Sequence, residues 1–83
     1  MDLETNFKDA QARSKNLPSQ PPQVLLELYG LFKQAALGDA QGKRPGMLDM
    51  RGRAKFDAWA GRAGMSKDEA MEKYIETVND LEG

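Results

Sequence analysis

The breaks in this chain constrain it more than its runs do. Leu17-Pro18-Ser19-Gln20-Pro21-Pro22 cannot continue a helix, because each proline lacks an amide donor and restricts the residue before it, whereas Pro22 can open the next helix. Ahead of that cluster, Leu3, Phe7 and Ala10 are spaced by four and three, which predicts an amphipathic helix near residues 3–14 with Asp2 as its cap. Behind it, the stripe Leu25, Leu28, Phe32, Ala35 and Ala36 predicts a second helix over Pro22–Leu37, with Gly38 just past its end. A third is expected from about Met50 to Arg62, with Ala54, Ala58 and Trp59 inward and Gly64 stopping it. Ser66-Lys67-Asp68-Glu69 has the form of a capping box, and the helix it opens carries Ala70, Tyr74, Val78 and Leu81. No stretch alternates as a strand would, so residues 1–83 are expected to form one all-α, four-helix domain.

A chain of 83 residues can fold without staples but cannot build a deep core, so any ligand is expected near the surface. It has no cysteine and no histidine, which removes thiolate nucleophiles, disulfides, thiolate zinc sites and the commonest general base together. Asp39 with Asp49, or Asp68 with Glu69, have no nucleophile beside them and are better explained as caps and turns. No enzyme, no metal site and no cofactor is expected. Twelve Lys+Arg against thirteen Asp+Glu leave no general cationic excess for nucleic acid or membrane, although local basic clusters remain open. The acidic start Met1-Asp2-Leu3-Glu4-Thr5 is unlike a signal peptide, and no apolar run approaches membrane-spanning length. The expectation is a cytoplasmic protein without stable membrane insertion, and a monomer, since no extended apolar face remains unassigned.

Between the second and third helices lies a loop that is long for a helical domain, and within it "KRPGMLDM", residues 43–50, sets cations beside apolar side chains across a Pro45-Gly46 break. Met47, Leu48 and Met50 can wall a cleft there, or Met47 and Leu48 can plug the bundle end. On the helices themselves, Tyr29 and Lys33 stand four apart, as do Lys55 and Trp59. Such a set offers flat rings for a base and ammonium groups for phosphate. The same spacings also fit core-edge rings with wet tips and snorkelling lysines.

From Leu28 to Gly83 the order Tyr-x-x-x-Lys-Gln-Ala, Gly-Asp, Arg-Pro-Gly-Met-Leu-Asp and Gly-x-Ala-Lys-x-Asp-Ala-Trp closely resembles the acyl-coenzyme A binding protein family, and "FKDAQARSKNL" extends the match more weakly to the N-terminal part. The resemblance implies an up-down-down-up four-helix bundle that binds and carries long-chain acyl-CoA esters without transforming them. It further implies that Tyr29 stacks on adenine, that Lys33 and Lys55 bind the ribose 3′-phosphate, and that Tyr74 helps to hold the head group. By the same resemblance Lys15 matches a basic residue at the end of the first helix, and Arg51 stands where many members carry lysine. Gly30, Leu31 and Phe32, lying between Tyr29 and Lys33, complete the expected ligand-binding set.

Three departures accompany the match: Phe32 stands where a tyrosine is common, Phe56 where a tryptophan is common, and the 17–23 linker is one residue shorter. Leu25, Met50 and Ala54 are expected to wall the acyl groove, by their helical phase beside Tyr29 and Lys55. Transient contact with acyl-CoA-using enzymes fits a carrier. The alternative function is a helical protein-interaction module using the same aromatic and basic face.

Overall fold

A computed structural model describes residues 2–83; of the start segment read above, Met1 lies outside the described residues. Four helices follow in order: α1 (Leu3–Ser14), α2 (Pro22–Leu37), α3 (Met50–Ala60) and α4 (Lys67–Glu82). Their starts are chemically explicit. Asp2 accepts from the Thr5 N–H at 2.7 Å and Asp49 from the Gly52 N–H at 2.9 Å, while Ser66 accepts from the Glu69 N–H at 3.1 Å. Pro22 occupies the first turn of α2. The capping box is half made: among the described residues the return bond from the Glu69 carboxylate is not formed. α3 ends at Ala60, earlier than the expected Arg62, and a series of turns carries the chain to Gly64, whose φ of +88° closes them.

α2 is the centre of the arrangement, packing on both α3 and α4, and α1 lies against α4. The core is Phe7 and Ala10 from α1, Leu28, Leu31 and Ala35 from α2, and Ala70, Met71, Tyr74 and Val78 from α4. α3 contributes no fully buried side chain. The stripe expected on α2 is therefore rotated: Leu25 and Ala36 are exposed, while Leu31 and Gln34 are inside.

Gln34, 0 % exposed, ties three segments together. Its Nε2 donates to Asp39 Oδ1 and to the Met65 carbonyl, both at 2.8 Å, and the Gly64 N–H donates to the same Asp39 oxygen at 2.9 Å. Those two bonds, Gln34 first, hold the Asp39 carboxyl below its ordinary pKa. The turn role read for Asp39 is thus a junction between the end of α2 and the start of α4.

α2 and α3 meet with almost nothing between them. A Cβ at Gly30 would lie 2.4 Å from the Ala58 carbonyl oxygen, so only glycine lets the two backbones approach this closely. The long loop after α2 is held to α3 by Arg44, whose Nε and Nη2 donate to the two carboxylate oxygens of Asp57 at 2.8 and 2.6 Å. Such a fork is a geometrically specific pairing.

Candidate functional site

The close approach at Gly30 brings the two aromatic and cationic pairs of α2 and α3 together. The Lys33 ammonium lies 5.9 Å from the Tyr29 ring centroid and 5.0 Å from that of Trp59, and Lys55 Nζ reaches within 5.4 Å of Tyr29. Two lysines from different helices thus share one tyrosine at cation–π range. Trp59 is held by its indole N–H, which donates to the Gly38 carbonyl at 2.7 Å. Among the described residues the ion pairs engage Arg13 and Arg44, and neither Lys33 nor Lys55 has a carboxylate partner.

Beside this cluster an open cleft of about 400 Å³ is lined by Leu25, Leu28, Tyr29 and Phe32 from α2, Tyr74 from α4, Ser14 at the end of α1, and Leu17, Pro18, Ser19 and Gln20 from the linker. Its polar edge is a short relay: the Tyr74 hydroxyl donates to Ser14 Oγ at 3.2 Å, and Ser14 in turn donates to the Gln11 carbonyl at 2.7 Å. The Tyr74 ring is 5 % exposed and packs edge-on to Phe7, centroids 5.1 Å apart, so only its hydroxyl end serves the cleft.

The expected residues fall into three groups. Lys33 and Lys55 meet at the Tyr29 ring, and Tyr29, Phe32 and Tyr74 share the cleft lining. Gly30 and Leu31 lie apart from that group, turned toward the protein interior. Gly30 is buried against Ala58, and Leu31, 1 % exposed, sits two residues and about 200° round the helix from Tyr29, in the core. Lys15 and Arg51 are exposed and outside the cleft lining, Lys15 as the C-cap of α1 next to Ser14 and Arg51 one turn before Lys55.

The expected groove wall is divided. Leu25 lines the cleft beside Tyr29, whereas Met50 and Ala54 line a second depression of about 460 Å³ with Arg44, Met47, Arg53 and Asp57. Met47 is 80 % and Leu48 102 % exposed, which excludes the bundle-end plug. The sequence reading assigned no site role to Ser14, Leu17 or Gln20. Ser14 comes to the cleft at the end of α1, and Leu17 and Gln20 because the proline-rich segment runs back past Tyr29, a path that no periodicity encodes.

Among the described residues no group of three or more His, Cys, Asp or Glu side chains is placed to hold a metal ion. Fold and site together define a small all-α domain with an open, aromatic-edged cleft and, at the Tyr29 ring beside it, two lysines without carboxylate partners among the described residues.

The family model described as "Acyl CoA binding protein" matches residues 4–78. An acyl-CoA-binding protein homolog of Manduca sexta is 51 % identical over 83 residues, spanning 98 % of this chain and 92 % of the relative. The acyl-CoA-binding protein of Ricinus communis is 44 % identical over 84 residues, 100 % of this chain and 93 % of the relative. Among solved structures, Acyl-CoA-Binding Protein 2 of Oryza sativa superposes with a TM-score of 0.94 at 40 % identity, covering 96 % of this chain and 90 % of that one. The chain belongs to the acyl-CoA-binding protein family, with its all-α, up-down-down-up fold, and that family is one of binding proteins and not of enzymes.

Proposed function

We propose that this chain, as a single domain, binds long-chain acyl-CoA esters and carries them as a cytoplasmic monomer that hands its ligand to acyl-CoA-using enzymes by transient contact. The observation that carries the reading is the pair of lysines without carboxylate partners, Lys33 and Lys55, gathered at the Tyr29 ring beside an apolar cleft. In this reading Tyr29 stacks on adenine, Lys33 and Lys55 hold the 3′-phosphate, and the Tyr74 hydroxyl bonds the head group. Lys15 and Arg51 extend the cationic rim. The acyl chain lies against Leu25 and passes over the α2–α3 crossing to Ala54 and Met50.

Physical chemistry favours such a split site. Burying methylenes contributes about 0.8 kcal/mol each, so about a dozen buried carbons supply on the order of 10 kcal/mol before ordering costs. The nucleotide end needs fixed charge, which unpaired lysines supply without first breaking a native ion pair. Methionine suits a wall that must accept chains of different length.

Titration calorimetry with a long-chain acyl-CoA, free CoA and the matching fatty acid tests this. Binding of the thioester far tighter than of either fragment supports linked head-group and chain sites. Silence with all three returns the cluster to a purely structural role and favours a protein partner for the same face.

A further inference from the structure

The loop between α2 and α3 ends in an apolar tip, Met47 and Leu48, of which Leu48 lines neither depression. Met47 and Leu48 are the most exposed large apolar side chains of the described residues, and Met50 follows at 78 % exposure. They are not on a loose tether: the Arg44–Asp57 fork anchors the loop on one side, and the Asp49 cap of α3 fixes it on the other. The apolar tip is thus displayed by a braced turn.

Charge gathers around it. Residues 43–57, the loop tip and the first part of α3, hold five cations against two acids, Asp49 and the Asp57 paired with Arg44, whereas the whole chain has twelve against thirteen. The remainder of the molecule therefore carries seven cations and eleven acids, so this end is positive on a negative body.

We infer that this loop docks the protein on the surface of an anionic bilayer, Met47 and Leu48 entering the interfacial layer while Lys43 faces the lipid phosphates. Exposed apolar tips ringed by cations suit a headgroup layer, which attracts positive charge and accepts flexible side chains without a matching shape. A protein partner would call for anchors seated in complementary pockets, and leucine, the more exposed of the two tip residues, is under-represented among such anchors. The inference stands on exposure and charge and does not depend on which ligand fills the cleft.

The test is co-sedimentation of the full chain with phosphatidylcholine vesicles and with vesicles containing about a third phosphatidylserine, at low and raised salt. The expected result is association with the anionic vesicles only, weakened by salt, reduced at least about tenfold by Leu48→Asp and several-fold by Lys43→Glu. Both variants are expected to keep the wild-type melting temperature and the wild-type response to acyl-CoA, since both side chains are exposed and outside the cleft lining. No association of the wild type with anionic vesicles, or equal association of Leu48→Asp, overturns the inference. Loss of acyl-CoA binding in Leu48→Asp would overturn it in favour of a ligand-covering loop, and loss of a dimer in sedimentation equilibrium in favour of self-association.

Discussion

Lys33 and Lys55 lie beside a tyrosine ring and, among the described residues, have no carboxylate partner, which leaves each available to an anion. Replacing either by alanine is expected to weaken acyl-CoA binding by about 1–3 kcal/mol, the usual worth of a charge-assisted hydrogen bond, with the melting temperature nearly unchanged. Full affinity in a folded double variant would remove both from the phosphate contact. Tyr29→Ala is expected to cost affinity for CoA-containing ligands while sparing the fold, because the half-buried Tyr29 ring edges the cleft and lies outside the core. Gln34→Ala should do the reverse: about 1–3 kcal/mol of stability lost in denaturant unfolding, from two broken bonds and an emptied buried site, with little direct effect on ligand. The sequence showed the first three residues through their four-residue spacings. Gln34 was invisible in it, since a glutamine in a helical pattern reads as solvent-facing, and only the junction with Asp39 and Met65 explains its burial.

At the scale of elements, the contact between α2 and α3 sets the spacing on which the site depends. Gly30→Ala would drive a methyl into the Ala58 carbonyl, so the helices must part. The expected cost is about 1–3 kcal/mol of stability, as for other overpacked contacts, together with weaker ligand binding because Tyr29 and Lys55 separate. A variant of wild-type stability and affinity would show that this crossing is not limiting. α3, with no fully buried side chain, should also be the first helix to exchange its amides, and ligand binding should slow that exchange. Helix starts were legible because caps and prolines act locally. The end of α3 was less so, since Gly61, Arg62 and Ala63 pass through helical turns before Gly64 stops the chain. The return of Leu17, Pro18, Ser19 and Gln20 to the cleft was not legible at all, since prolines mark a break without fixing where the chain then runs.

The whole molecule measures 40 × 28 × 15 Å, so its thinnest dimension is little more than one helix across. The expectation that a ligand must lie near the surface follows from length alone, and the open cleft agrees with it. How the four helices are arranged was another matter. Periodicity alone does not choose between bundle topologies, and the long resemblance supplied what spacing could not.

The acidic groups give the molecule a readable pH response. Asp39, Asp57 and Asp2 all have pKa values below the ordinary 3.8, owing first to the Gln34 bond, the Arg44 bond and the Thr5 backbone bond respectively. A depressed carboxylate stabilises the fold above its unfolded pKa and ceases to do so as pH falls through the folded one. Melting temperature is therefore expected to be flat between about pH 5 and 7 and to fall below about pH 4, with Asp39→Asn flattening part of that fall. An unchanged acid limb in Asp39→Asn would assign it to other groups.

The indole of Trp59 is the only one in the chain, and it sits with its N–H committed to Gly38 and a lysine ammonium 5.0 Å from its ring. A charge at that distance is expected to perturb the excited state of the indole. The protein therefore carries its own optical gauge: any anion that draws Lys33 away should shift the emission colour and yield, and occupancy can be followed by light without a label or a second chromophore.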